Sequence, residues 1–213
     1  MKQKKFIHDL LDDLTPVKTL PSFFAQCFLV FLTFTFLGFF LLLFFGISFR
    51  LFESVKLISF DLILILSLFF VFFSVLSVLS LQMPGRSRFY LFVCSLFSLF
   101  GLGFSWFFSG PFQCYLSGQS VFYFESTFSC VFKLIMMGLL FLLGLFFVIR
   151  KGFFLYHRLA SLMVFSASLG ASLLVLSLHC YVVDYMHIFL WHLCPLFLCL
   201  VLGFYLGRRL FKK

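Results

Sequence analysis

Charge is what this 213-residue sequence has least of: 11% of its residues are Asp, Glu, Lys or Arg, while 63% are hydrophobic. Soluble globular domains are about one-quarter charged, so a water-soluble monomer is excluded. Runs of about ten residues with alternating polarity, the mark of transmembrane strands, are missing. Backbone groups in lipid must then be satisfied within helices. No apolar run is followed by an A-x-A-like cleavage site, and about twenty polar-rich residues precede the first one, so that run reads as a retained anchor. The seven cysteines include no C-x-x-C pair, which weighs against a thiol oxidoreductase. A catalytic Ser, His, Asp set, a phosphate loop and a carboxylate pair within the apolar runs are likewise missing. Acidic residues are few too: seven Asp and Glu stand against sixteen Lys and Arg, a net charge of +9. Membrane proteins acquire such an excess from their inner loops. Phe, by contrast, fills 40 positions while Ala is scarce, a bias of composition to which no site is attributed.

What the sequence does contain is six apolar runs, at 23–46, 57–81, 89–109, 131–149, 159–178 and 188–206. About 20 helical residues at 1.5 Å rise cross a ~30 Å hydrocarbon core, and every run has that reach. The expected fold is all-α, a polytopic bundle of six transmembrane helices. Thirteen of the sixteen basic residues fall in the N-terminal tail, the second and fourth loops and the C-terminus. By the positive-inside rule both termini are then cytoplasmic. Arg50, Lys56 and Lys133 remain for the opposite ends. The chain divides accordingly into a cytoplasmic segment 1–22, a transmembrane domain 23–207 and a basic tail 208–213.

In the first segment Phe6, Ile7, Leu10, Leu11 and Leu14 recur at helical spacing opposite Lys5, Asp9, Asp12 and Asp13. This short amphipathic helix stops near Thr15-Pro16. A helix lying on anionic lipid carries mainly Lys and Arg on its polar face; the three Asp favour a protein partner instead. Arg86 and Arg88 in the second loop, Arg150 and Arg158 in the fourth, and the C-terminal tail together make a basic cytoplasmic face. Such a face suits phosphates, lipid headgroups or carboxylates.

Cys27, Cys94, Cys194 and Cys199 lie inside the runs and read as small apolar packing groups. Cys114, Cys130 and Cys180 fall on the outer side, where an oxidising compartment favours a disulfide or a reactive thiol. Cys130 immediately precedes the fourth span and Cys180 follows the fifth. A short inner loop joins these two spans of similar length, so their outer ends reach similar depth and the two cysteines become neighbours. Bridging them needs a Cα separation below about 6.8 Å. With imidazoles nearby, the thiolates also make a candidate soft-metal site. Its first members are Cys130, Cys180 and His179, with Cys114, His179 and His187 as accessory ligands. His192, within the sixth span, reads as a neutral imidazole hydrogen-bonded between helices, and Asp61 and Lys133 as a structural ion pair near the outer ends.

Several segments follow one another in a characteristic order. DDLTPVKTLPS precedes the first span, LQMPGRSR joins the second and third, a Cys opens the fourth, and RKGFFLYHRLASL leads into the fifth. A His-Cys pair ends the fifth, a Trp lies early in the sixth, and LGRRL closes the chain. Over nearly its full length the sequence resembles the NrsF family of six-span bacterial anti-sigma factors. The resemblance implies a bacterial inner-membrane regulator, not an enzyme, that sequesters an extracytoplasmic-function (ECF) sigma factor and releases it under metal or oxidative stress. It assigns the sensing to a pair of cysteines, here Cys130 and Cys180, and the sigma contact to the N-terminal segment with Asp9, Asp12, Asp13, Pro16 and Val17. Its implied partners are the sigma factor and membrane lipid, with no direct nucleic-acid contact and no cofactor beyond a transient soft metal ion. The chain departs from the family pattern in Cys114 and in His192, which stands where an aromatic residue is expected. Three alternatives stay open: a small membrane thiol-redox enzyme linked to quinone or haem, a metal-transporter subunit, and a structural membrane subunit whose cysteines have no role.

Overall fold

A computed structural model describes residues 21–47, 58–82, 89–109, 127–149, 152, 154, 156–180 and 185–210. Among them are five long helices: α1 (Phe23–Phe45), α2 (Ile58–Leu81), α3 (Phe89–Ser109), α4 (Thr127–Ile149) and α5 (His157–His179). A sixth helical segment runs through α6 (Tyr185–Ile188), a π-helical turn (Phe189–Leu193) and α7 (Cys194–Leu210). The described residues are all-α and form six helical segments. Among the described residues, five stretches are long and apolar enough to cross a membrane: Phe23–Phe45, Leu64–Leu81, Ser129–Ile149, His157–His179 and Leu190–Gly207. The third helix, 21 residues long, contributes the apolar stretch Tyr90–Phe104 among the described residues.

Three helix boundaries shift from the apolar runs, and each shift bears on the site. The fourth helix begins at Thr127 and not at 131, which puts Cys130 inside its first turn. The fifth extends to His179, with Cys180 as its C-cap, its N–H donating to the Leu176 carbonyl at 2.8 Å. The sixth starts at Tyr185 and so includes His187. Charge and polarity mark where an apolar run ends, but a helix continues for as long as its terminal N–H and C=O groups find partners. At the start of α1 the Ser22 hydroxyl accepts from the Ala25 N–H at 3.3 Å, a side-chain cap immediately after Pro21.

Helix α5 is the centre of the bundle. It packs against α2, α4, α7 and α1, while α3 lies against α2. Burial runs around its whole circumference, from Ala160 and Ser161 through Gly170, Ala171 and Ser172 to Leu176. Small residues let neighbouring backbones approach. A Cβ on Gly170 would stand 2.8 Å from Val71 Cγ2, and one on Gly207 of α7 would stand 2.7 Å from the His157 carbonyl oxygen. Ser161 donates across the same contact to the Gly203 carbonyl at 2.6 Å. One apolar cluster joins α1, α2, α4 and α5 around Val30, Val75, Phe141 and Ala167. A second joins α2, α4, α5 and α7 around Phe70, Leu134, Leu173 and Leu196. The large exposed side chains, such as Phe28, Phe36, Phe97, Phe100 and Phe147, lie on the outer faces, where a bilayer supplies apolar surroundings.

Candidate functional site

The chain order of α4 and α5, antiparallel neighbours, brings the start of one to the end of the other. Cys130 and Cys180 meet there, joined by His187 of α6 and His192 of the π turn. The ligand-bearing atoms of these four residues all lie within 4.8 Å of one another. The Cys180 Sγ is 3.5 Å from His187 Nε2, and the two imidazole rings meet edge to face at 5.2 Å between centroids. Cys130 and Cys180 are not joined in a disulfide. Cys130 has Cys180, His187 and His192 as its polar side-chain neighbours.

The π turn is what places both histidines on the cluster. On a regular α-helix, residues five apart point about 140° away from each other, at 3.6 residues per turn. A turn closed by i→i+5 hydrogen bonds returns position i+5 to the same face. Pro195 gives a local cause: it has no N–H for the carbonyl of Trp191, and its ring crowds that carbonyl. Widening the turn upstream, over Phe189–Leu193, relieves the crowding.

His192 is 1% exposed, and among the described residues neither ring nitrogen is paired by a well-formed hydrogen bond; the Cys130 thiol is its polar neighbour. The expected well-formed hydrogen bond between helices is not seen among the described residues. Leaving such a group unsatisfied costs about 1–3 kcal/mol, a cost that a bound ion would offset. Two thiols and two imidazoles are a donor set suited to a soft or borderline ion, with thiolates formed on binding. The four residues offer four donor atoms, the number a tetrahedral ion takes, and no carboxylate is among them.

His179 is not one of these donors, although it adjoins Cys180 in sequence. Its Nε2 lies 2.8 Å from Lys133 Nζ and its Nδ1 2.9 Å from the Gly46 carbonyl oxygen. Adjacent helical residues point about 100° apart, so His179 turns toward α1 and α4 while Cys180 turns toward α6. Lys133 bonds His179 and stands 5.6 Å over the Phe45 ring, and its expected pairing with Asp61 lies outside the described residues. The Asp61 side chain is outside the described residues, as are Cys114, Asp9, Asp12, Asp13, Pro16, Val17, Arg86, Arg88 and Arg150. Arg158 is exposed, 5.5 Å over the Phe204 ring. Of the four cysteines read as packing groups, Cys27, Cys94 and Cys199 are half-buried, whereas Cys194 is exposed. Cys194 lines an apolar groove with Trp191, Pro195 and Cys199.

Long apolar helices around a thiol–imidazole cluster define a polytopic membrane protein with a potential metal- or redox-responsive site. The family model described as "Negative regulator of sigma F" matches residues 10–212, and the chain belongs to that family, NrsF. It is accordingly a regulator and not an enzyme, with a sigma factor as the regulated partner. Neither a curated protein nor a solved structure matches it.

Proposed function

We propose that the protein is a bacterial inner-membrane anti-sigma factor that holds an ECF sigma factor at its cytoplasmic face and releases it when the Cys130–Cys180 cluster binds a soft metal ion or is oxidised. The observation that carries this reading is the coincidence of NrsF family membership with a Cys/His cluster, its thiols half-buried and its imidazoles buried, built from three helical segments. Both termini are cytoplasmic, and segment 1–22, with Asp9, Asp12, Asp13, Pro16 and Val17, makes the sigma contact. Arg86, Arg88, Arg150 and Arg158 complete the basic face around it. The helix ends bearing Cys130 and Cys180 then face the periplasm.

Two events would change the cluster. Ion binding releases the thiol protons and ties α4, α5 and the π turn to one centre. Oxidation joins the two Sγ atoms in a disulfide, with two protons released and two electrons passed to a thiol oxidant. The sulfurs, within 4.8 Å of each other, must close to about 2.05 Å. Packed helices respond to such a pull by moving between discrete arrangements. A tenfold change in partner occupancy needs only ~1.4 kcal/mol of differential stabilisation.

Pull-down from the native cells, with and without residues 1–22, tests the partner assignment. An ECF sigma factor should co-purify only with the intact N-terminus; its absence from the unstressed, intact protein overturns the reading. The C130S/C180S variant should retain the sigma factor and lose release by metal or oxidant, measured by reporter transcription. A fully responsive double variant would remove the sensor role.

A further inference from the structure

We propose that Lys133 and His179 form the link through which the Cys/His cluster acts on α1, the helix that leads from the N-terminal segment. The inference rests on the sensor reading above and adds positioning residues to it. Lysine is a donor only, so the 2.8 Å contact makes His179 Nε2 the acceptor and leaves the Nδ1–H to donate to the Gly46 carbonyl. The imidazole thus joins three helices at one end of the bundle: α4 through Lys133, its own α5, and the C-cap of α1. Lys133 lies one helical turn from Cys130, and His179 directly precedes Cys180. A displacement of either cysteine is therefore a displacement of the link.

The α1 end of the link is built to receive it. Gly46 has φ +83°, a backbone region that other residues rarely adopt, and its N–H donates back to the Leu42 carbonyl at 2.9 Å. That geometry aims its own carbonyl at His179. The Phe45 ring packs beside the imidazole at 5.6 Å between centroids and under the Lys133 ammonium. Helix α1 has only 17% of its span buried in the bundle. Few packing contacts resist its movement. As a continuous rod of 23 residues, it carries a shift at Gly46 to Ser22 and the segment beyond.

The test uses the full chain in lipid nanodiscs with its co-purified sigma factor, as wild type, K133M and K133R. Cadmium ion is the metal probe and diamide the oxidant. Three quantities are followed: the thiolate-to-cadmium absorption band, amide exchange of the last turn of α1, and sigma release. In the wild type either stimulus should change α1 exchange by at least about threefold. K133M should bind cadmium with an unchanged midpoint yet show no change at α1 and no release, and K133R should restore both. The proposal is overturned if K133M transmits like wild type, if it loses the cadmium band, or if wild-type α1 responds to neither stimulus. If wild-type α1 responds and the sigma factor stays bound, the link stands and the anti-sigma reading fails.

Discussion

Helices α1 and α5 are both 23 residues long and apolar, yet 78% of the α5 span is buried in the bundle against 17% for α1. The difference lies in side-chain size. α5 is rich in Ala, Ser and Gly on every face and accepts neighbours all round it, whereas α1 is rich in Phe and Leu and turns in only the narrow stripe Gln26, Val30, Phe34 and Leu41. In a bilayer, large apolar side chains gain little by leaving lipid, so close backbone approach and interhelical hydrogen bonds decide which helix is central. The cluster sits at the end of the well-packed helix, and the N-terminal segment leads into the loosely packed one. One helix is a frame and the other is free to move against it.

The largest effect should come from filling the frame. Gly207→Val sets side-chain carbons against the His157 carbonyl of α5, and overpacking of this kind costs about 1–3 kcal/mol or more. A thermal unfolding scan in detergent should show a sharply lowered midpoint; an unchanged one would refute the central role given to α5. Next in size is His192→Leu at the frame's end. Cadmium affinity should fall at least about tenfold, ~1.4 kcal/mol, while removal of the two nitrogens that lack a well-formed hydrogen bond raises stability by about 1 kcal/mol. Equal cadmium affinity in a metal titration would remove His192 from the ligand set. The smallest effect belongs to the exposed face of α1, where Phe36→Leu should change stability by less than about 0.5 kcal/mol. A loss comparable to that of Gly207→Val would erase the contrast between the helices.

The helices were legible as apolar runs of spanning length, and the meeting of Cys130 with Cys180 was legible from the matched lengths of two helices joined by a short loop. His192 was not. Five residues from His187, it belongs to the opposite face of an α-helix, and only the π turn brings both rings to the thiols. The signal was present in Pro195, three residues on, which forces the turn before it to widen. His179 misled for a related reason: adjacency to Cys180 in the chain is not adjacency in space, since consecutive helical side chains diverge. The centrality of α5 was written in its small residues, a local signal that the chain-wide excess of Phe obscures.

The most direct test of the account is a cadmium titration of the wild-type complex in nanodiscs, following the thiolate-to-cadmium band and sigma release in the same sample. The account predicts one ion per chain and release that tracks occupancy of the Cys130, Cys180, His187 and His192 cluster. Full occupancy with the sigma factor still bound would contradict it.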